Sequence, residues 1–306
     1  MNFSITILGS GAALPTKNRM PTAQYVNCNN RHFLIDCAEG TQLQLRKYKI
    51  NFQKLSHVFI SHLHGDHYFG LAGLLSTMNL LGREKELTIF GPPELETLLK
   101  PMLFYGGARL AFNLKFKSLN MMVKKMIYED DIVKVFSFPL VHKIPTSGFL
   151  IEEKPKPLKI NPSMIEAYNL KIEHFKDLQN GKDIILDSGE VCSFEKVTLK
   201  PKKLLSYAYC SDTKKSEKVA KAIYGATHLY HEATFLFKDQ KRANSTAHST
   251  TKDAADVAIQ ANINKLIVGH ISSRYKTNDD HEHEMLHFFA NSIVAKDGLC
   301  IDLTKE

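Results

Sequence analysis

Short runs of β-branched and aromatic residues recur along the chain, and each predicts a strand that ends in a polar or glycine-rich loop. The run at 58–60 is the clearest, because a histidine-rich loop and then an apolar helix follow it. Further strands are predicted at 5–8, 24–28, 33–36, 87–91, 110–118, 123–128, 132–142, 204–210, 228–235 and 266–269, and helices at 41–49, 214–224 and 251–261. Side chains on strand-to-helix loops can converge on one point while rigid elements hold them.

The loop after the run at 58–60 reads Ser61-His62-Leu63-His64-Gly65-Asp66-His67. Imidazole is a good zinc ligand, and a carboxylate beside imidazoles is typical of catalytic rather than closed structural zinc sites. At this spacing His62 and His64 can reach one metal ion, and Asp66 and His67 can reach a second one nearby. The alternative, a solvated polar loop, is disfavoured because the motif directly follows a hydrophobic strand.

Composition and charge limit the class of protein. A chain of 306 residues with 43% hydrophobic and 24% charged residues is long enough for one large domain or two ordinary ones. It has no run of about 18 apolar residues, so we expect no membrane span, and its first residues lack the features of a signal peptide. Five cysteines without a Cys-x-x-Cys pair indicate free thiols and a cytoplasmic protein. The net charge of +8 favours a polyanionic partner without proving one.

The composition changes between residues 152 and 203. Prolines and lysines are concentrated near both ends of this segment, and strong hydrophobic periodicity is missing. A short helix is expected at 163–170. The segment is therefore interpreted as an insertion that projects from a single domain spanning 1–306, and not as a second globular domain.

The motifs resemble those of a known family. Ser61-His62-Leu63-His64-Gly65-Asp66-His67 resembles the signature of the metallo-β-lactamase superfamily, which implies an α/β fold, a four-layer αβ/βα sandwich with a dinuclear zinc site. His231-Glu232-Ala233-Thr234-Phe235 and His248-Ser249-Thr250 resemble motifs of ribonuclease Z, the endonuclease family that matures tRNA 3′ ends. These two motifs separate the ribonucleases from lactamase and glyoxalase relatives, and the likeness covers nearly the whole chain.

The resemblance implies two Zn²⁺ ions per subunit and assigns their ligands. The first ion would be held by His62, His64 and His142, and the second by Asp66, His67 and His270, with Asp212 bridging both. On sequence alone His142 is one histidine among fourteen. Buried carboxylates commonly accept the N–H of a zinc-bound imidazole, and we expect this of Asp36 and Glu232. For Asp36, a helix N-cap is an equally open alternative.

Three cationic residues are expected to contact the substrate. Pro15-Thr16-Lys17-Asn18-Arg19-Met20 resembles the family's Pro-x-Lys-x-Arg-Asn loop, with Met20 in place of Asn. Arg274 resembles the family's arginine after the last histidine. Lys17, Arg19 and Arg274 are therefore expected to bind phosphates. By contrast, His281, His283 and His287 lie on an acidic helix and are expected at the surface.

The implied chemistry is hydrolysis of a phosphodiester in precursor tRNA. Asp66 would accept the proton of the attacking water, and His248 would protonate the leaving oxygen. The products would be a tRNA with a 3′-hydroxyl and a trailer with a 5′-phosphate. The resemblance further implies a homodimer in which the 152–203 arm of one subunit holds the tRNA cut by the other. The family's Gly-Pro motif near the arm tip is replaced here by Leu170-Lys171-Ile172-Glu173-His174.

Two alternatives use the same residues. The first is a broader metal-dependent phosphodiesterase or 3′ exonuclease. The second is a metal-dependent RNA-binding protein without catalysis, which the complete set of candidate ligands disfavours. Activity on intact precursor tRNA and on small nitrophenyl phosphodiesters would separate these readings.

Overall fold

The computed structural model describes residues 2–105, 109–201 and 203–305 of the chain. The described residues form two compact units, 2–152 together with 205–305 (the main unit) and 153–204 (the inserted unit). No helix within the described ranges is long and apolar enough to cross a membrane.

The first half of the main unit contains six strands of one seven-stranded sheet. Its strands and helices are β1 (Phe3–Gly9), β2 (Ala23–Cys28), β3 (Arg31–Ile35), α1 (Thr41–Lys47), β4 (His57–Phe59), α2 (Gly65–Tyr68), α3 (Leu71–Leu80), β5 (Leu87–Gly91), α4 (Glu94–Tyr105) and β6 (Leu114–Ser118). The strand order is β16-β1-β2-β3-β4-β5-β6, where β16 is Cys300–Asp302 near the end of the chain. Strands β3 to β6 are parallel, and the pairs before them are antiparallel.

The second half supplies the other seven-stranded sheet. Its elements are β7 (Lys125–Glu129), β8 (Val133–Pro139), β9 (Ser147–Glu153), β12 (Ser206–Cys210), α8 (Glu217–Ala222), β13 (His228–Glu232), α9 (Gln240–Thr246), α10 (Thr251–Gln260), β14 (Lys265–Gly269), α11 (Asp279–Phe288) and β15 (Ser292–Val294). The strand order is β15-β14-β13-β12-β9-β8-β7. Strands β12 to β15 run parallel, so their carboxyl ends meet at one edge of the sheet.

Three hydrophobic clusters define four layers in the main unit. The central cluster joins the facing sides of the two sheets, where Phe59 of β4 contacts Phe149 of β9 with ring centroids 5.4 Å apart. A second cluster packs α1, α3 and α4 on the outer side of the first sheet, and a third packs α8, α10 and α11 on the second. Since each sheet is apolar on both sides, helices must cover the outer faces. The predicted αβ/βα sandwich is therefore confirmed.

Local chemistry explains several boundaries. The hairpin between β2 and β3 turns at Asn29 and Asn30, which both have positive φ (48° and 66°), as tight hairpin turns require. Thr250 caps α10 by accepting the N–H of Asp253, and the Asp253 side chain accepts the N–H of Thr250 in return. Helix α1 begins at Thr41 with Gly40 at its N-cap. The N-cap alternative for Asp36 is therefore wrong.

The inserted unit has a small core of its own. It contains α5 (Pro162–Ala167), α6 (Ile172–Gln179), β10 (Ile184–Ile185), β11 (Val191–Cys192) and α7 (Phe194–Val197), and β10 and β11 form an antiparallel hairpin. Its buried side chains are Leu170, Leu178, Ile184, Cys192 and Val197. Each of these buried residues comes from a different short segment, so the core is built from contacts between segments that are apart in the chain.

Candidate metal centre

The buried carboxylate of Asp36, just after β3, fixes the histidine-rich loop. One carboxylate oxygen accepts the Ser61 N–H (2.8 Å), and the other accepts the Ser61 hydroxyl (3.0 Å) and Nδ1–H of His67 (2.8 Å). The hydroxyl of Tyr209, on β12, donates to the same carboxylate at 2.7 Å. Because all four groups are buried, the loop following β4 has little freedom. Asp36 thus accepts a hydrogen bond from His67, and its role behind a zinc-bound histidine stays a prediction.

The first cluster of candidate ligands consists of His62, His64, His142 and Asp212, whose ligand atoms all lie within 4.8 Å of one another. Nε2 of His62 is 3.0 Å from Nδ1 of His64, and Nε2 of His142 is 3.4 Å from the same atom. Oδ2 of Asp212 lies 3.7 Å from Nε2 of both His62 and His142. His142 lies beyond the end of β8 at Pro139, on a loop and not at the strand end that the sequence predicted.

The second cluster consists of Asp66, His67 and His270, and it shares Asp212 with the first. Oδ1 of Asp212 is 3.1 Å from Nε2 of His67 and 3.2 Å from Nε2 of His270. Oδ2 of Asp66 is 3.6 Å and 3.5 Å from the same two nitrogens. Asp212 therefore turns one oxygen to each cluster, which is the arrangement a bridging carboxylate needs.

The donor set fits metal ions, because hydrogen bonds behind the rings leave ring nitrogens facing inward. Nδ1 of His67 is held by Asp36, Nδ1 of His270 by the Thr234 hydroxyl (2.9 Å), and Nδ1 of His62 by the Ser61 hydroxyl (2.9 Å). These bonds place a proton on Nδ1 and turn Nε2 toward the clusters. Among the described residues, Nε2 of His67 and His270 are buried without a hydrogen-bond partner. A cation between them would satisfy both nitrogens.

Glu232, at the end of β13, organises the other side of the site. Its buried carboxylate accepts Nδ1–H of His248 (2.8 Å), the Ser249 N–H (3.0 Å) and the Thr234 hydroxyl (2.6 Å). Since Thr234 in turn holds His270, Glu232 positions His248 directly and His270 through one hydroxyl. His248 also lies with Asp212 and His270 in a group whose ligand atoms are within 4.8 Å of one another.

Electrostatics divide the histidines into neutral and charged ones. Burial and the neighbouring His67 hold the pKa of His62 well below its usual range, so His62 is neutral. For His67, burial acts to lower the pKa, but the Asp212 and Asp36 carboxylates outweigh it and raise the pKa well above its usual range, so His67 must release a proton when it binds a metal ion. For His248, burial acts to lower the pKa, but the Glu232 carboxylate outweighs it and raises the pKa to about 9. For Asp212, burial acts to raise the pKa, but His270, His67 and His62 outweigh it and lower the pKa well below its usual range. A neutral His62 and an ionised Asp212 suit metal ligation, whereas a charged His248 suits proton donation.

A cavity of about 770 Å³ opens onto both clusters. Its lining includes His64, Asp66, His142, Asp212, His248 and His270, together with Pro15, Phe69, Lys143 and Arg242. A substrate in this cavity would therefore meet both clusters and the charged His248 at once.

The three cations expected to bind phosphate lie within the described ranges but do not line this cavity. Arg19 is only 7% exposed, and its guanidinium donates to the carbonyl oxygens of Tyr275 (2.7 Å) and Thr277 (2.9 Å) and to the Asn278 side chain (2.6 Å). Arg19 therefore braces the 275–278 segment, and direct phosphate binding by its guanidinium is not supported. Arg274 lies over the Phe235 ring at 5.2 Å and 3.5 Å from Asp239. Lys17 is exposed.

Lys143, Arg242 and Phe69 line the cavity and were not singled out from the sequence. Lys143 and Phe69 could have been found from their positions in the sequence, because Lys143 follows the candidate ligand His142 and Phe69 follows the 61–67 loop. Arg242 gave no local signal, because it lies on the unpredicted helix α9.

One histidine was also misplaced: His281 is fully buried and Nε2 lies 3.1 Å from the Ala233 carbonyl oxygen. The prediction that His281 is at the surface is wrong, whereas His283 and His287 are exposed.

A sandwich of two sheets with His/Asp clusters on the loops that follow its strands defines a metal-dependent hydrolase of the metallo-β-lactamase fold. The metallo-β-lactamase fold protein YhfI from Bacillus subtilis has this fold, with a TM-score of 0.69, 16% identity, and coverage of 99% of this chain and 100% of that one. Ribonuclease Z of Bacteroides fragilis is 42% identical over 301 residues, which are 98% of this chain and 99% of that protein. The chain belongs to the ribonuclease Z family.

One further solved structure and one family model also match the chain. The crystal structure of human tRNase Z, short form, matches with a TM-score of 0.70 and 25% identity, covering 97% of this chain and 98% of that one. The family model described as anti-Pycsar protein Apyc1 matches residues 3–146. That match covers the part of the chain with the 61–67 loop but not Asp212, Glu232, His248 or His270.

Proposed function

We propose that the protein is an endoribonuclease that removes the 3′ trailer from precursor tRNA, leaving a 3′-hydroxyl on the tRNA and a 5′-phosphate on the trailer. The observation that carries this proposal is the Asp212 carboxylate, whose two oxygens face separate clusters in one cavity beside the charged His248. Membership in the ribonuclease Z family supports RNA as the substrate. The formal charge of +8 suits a polyanion.

The proposal includes two Zn²⁺ ions in each subunit. His62, His64 and His142 would hold the first, Asp66, His67 and His270 the second, and Asp212 would bind both. Imidazole and carboxylate donors together favour zinc over magnesium or calcium, which prefer oxygen ligands. Metal ions at these ligands would supply positive charge for the scissile phosphate and lower the pKa of a water nucleophile toward neutrality.

Asp66 and His248 would move the protons of the reaction. Burial acts to raise the pKa of Asp66, but His67 and His270 outweigh it, so the carboxylate stays ionised. The Ala13 N–H donates to Oδ2 of Asp66 at 2.8 Å and holds it beside the cavity. Asp66 can thus accept a hydrogen bond and then the proton from the attacking water. His248, charged below pH of about 9, would protonate the departing 3′ oxygen.

Cations around the cavity would neutralise neighbouring phosphates. Lys143 and Arg242 are the best placed, because both line the cavity. Exposed Lys17 would contact a more distant phosphate, and Arg274 would reach one after giving up its contact with Asp239. Arg19 would act indirectly by bracing the 275–278 segment.

The inserted unit is proposed to bind the tRNA away from its cleaved end, in a homodimer. Lysines on its surface, such as Lys156 and Lys176, suit phosphate contacts. Exposed apolar side chains on α4, including Leu98, Met102, Phe104 and Tyr105, suit an interface between subunits. The sequence has no Cys-x-x-Cys pair among its five cysteines, which suits a cytoplasmic location.

The test is cleavage of a 3′-extended precursor tRNA by the purified protein with zinc, with both product ends mapped. A single cut with a 3′-hydroxyl upstream and a 5′-phosphate downstream supports the proposal. Stepwise shortening of the trailer would identify a 3′ exonuclease, and hydrolysis of a nitrophenyl phosphodiester alone would identify a broader phosphodiesterase. Binding of precursor without zinc-dependent turnover would exclude catalysis.

A further inference from the structure

One aromatic ring at the cavity is both exposed and fixed in place. The side chain of Phe69 is 65% exposed and lines the cavity together with His64 and Asp66. A single exposed hydrophobic side chain is common on any protein and has no significance by itself. Phe69 differs from such side chains because it lies beside the two clusters of candidate ligands and is held there by specific contacts.

The Phe69 ring is supported by contacts with the 61–67 loop and with Tyr68. Its backbone N–H donates to the Gly65 carbonyl at 3.1 Å, and its ring lies against Gly65 so closely that a Cβ added there would collide with it. The ring of Tyr68 meets it edge to face, with centroids 5.0 Å apart. Because Gly65 lies between the candidate ligands His64 and Asp66, the ring is held at a fixed place relative to both clusters.

The other phenylalanine at the cavity is not available in the same way. Phe235 is only 4% exposed, and the Arg274 guanidinium covers its ring at 5.2 Å. The cations Lys143 and Arg242 offer contacts to phosphates but no apolar face to a base. Among the described residues that line the cavity, Phe69 is therefore the phenylalanine with a ring surface open to a ligand.

We propose that Phe69 is a stacking platform for a nucleobase next to the scissile phosphate, an inference that rests on the proposed function. A 3′ trailer is single-stranded, so its bases are free to leave their neighbours and stack on a protein ring. Stacking recognises the flat face that all bases share, so it fixes the position of the RNA without selecting its sequence. Phe69 would thereby place the neighbouring phosphate over the metal clusters.

The test combines substitution of Phe69 with removal of single bases from the substrate. Wild type and Phe69→Ala are compared on a precursor tRNA and on two precursors with an abasic ribose directly 5′ or 3′ of the cut. On the full precursor, Phe69→Ala should lower kcat/KM by about 5- to 150-fold, the range that stacking of one base gives. On the precursor lacking the stacked base, the substitution should cause no further loss.

Two variants control for packing and exposure. Phe69→Trp keeps an aromatic face and should retain most activity on the full precursor. Tyr224→Ala removes a ring that is 69% exposed just after α8 and does not line the cavity, so it should leave the base dependence unchanged. Zinc content should be equal in wild type and Phe69→Ala. An equal loss on full and abasic precursors, or no loss on any, would overturn the stacking proposal.

A binding measurement separates failure of this inference from failure of the proposed function. Precursors carrying 2-aminopurine at either flanking position are mixed with the zinc-loaded protein in a stopped-flow instrument. Wild type should quench the fluorescence at one position before any cleavage, and Phe69→Ala should not. If wild type binds the precursor without cleaving it, the endonuclease proposal fails. The quenching measurement still tests whether a base stacks on Phe69. If wild type cleaves the precursor but neither position shows quenching that depends on Phe69, the stacking proposal is wrong and the endonuclease proposal stands.

Discussion

The carboxylate of Glu232 lies 2.8 Å from Nδ1 of His248 and raises the pKa of that histidine to about 9. At neutral pH His248 is therefore a cation that faces the cavity and holds a proton on each ring nitrogen. The pair gives the site a proton donor whose charge depends mainly on the buried Glu232 carboxylate, with smaller contributions from Asp212 and Asp66.

Replacing Glu232 with Gln tests this dependence. His248 is protonated below its pKa, so the acid form is lost as the pH rises through about 9. Glu232→Gln removes the negative charge, and the pKa of His248 should fall toward or below its ordinary value of about 6.5. The alkaline limb of the profile of kcat/KM against pH should move to lower pH. An unchanged limb, with zinc content and melting temperature preserved, would show that His248 is not the donor.

His248→Ala removes the donor itself. We expect both metal ions to remain and the chemical step to slow by about 10²- to 10⁴-fold, the usual contribution of a general acid. Single-turnover cleavage measures the rate, and metal analysis by mass spectrometry measures occupancy. Because His248 lies near Asp212 and His270, loss of zinc from the variant would instead identify it as a ligand.

Asp66→Ala should abolish cleavage and lower the zinc content, because it removes a candidate ligand and the proposed proton acceptor together. A useful comparison is Asp212→Ala, which affects both clusters and should lose more metal. Turnover near the wild-type rate in Asp66→Ala would mean that the site is assigned wrongly.

Arg242 and Arg274 form a matched pair for phosphate binding. Arg242 lines the cavity, whereas Arg274 lies over Phe235 and near Asp239. Arg242→Gln should weaken binding of precursor tRNA and reduce the slope of log affinity against log salt by roughly 1. Arg274→Gln should change the slope less. If Arg274→Gln reduces the slope more than Arg242→Gln does, Arg274 binds phosphate, as first inferred from the sequence.

Deleting residues 154–200 tests the inserted unit. The main unit contains all seven candidate ligands, so zinc binding and hydrolysis of a small phosphodiester should persist. Binding of precursor tRNA should be largely lost. Mixing this deletion variant with full-length Asp66→Ala should restore cleavage. In the heterodimer, the deletion subunit keeps a complete set of candidate ligands and its partner supplies the inserted unit. Verified heterodimers that remain inactive would show that the unit does not act across the dimer.

The sequence by itself determined the parts of this protein in which the signal is local. The 61–67 loop follows a hydrophobic strand directly, so its residue types and spacing were enough to predict paired metal ligands. Asp212 and His270 also follow strands, and parallel strands bring such positions to one edge of a sheet. The roles of Asp36 and Glu232 in holding histidines followed from the chemistry of buried carboxylates.

Only the tertiary structure decided which other side chains face the site. Arg19 and Arg242 are both arginines on short segments, yet one is bonded to 275–278 and the other lines the cavity. The burial of His281 depends on Ala233, which is 48 positions away in the chain. The inserted unit likewise gathers its core from separate short elements. Exposure and contact depend on which distant segments pack together, and hydrophobic patterning along the chain records only which face is buried.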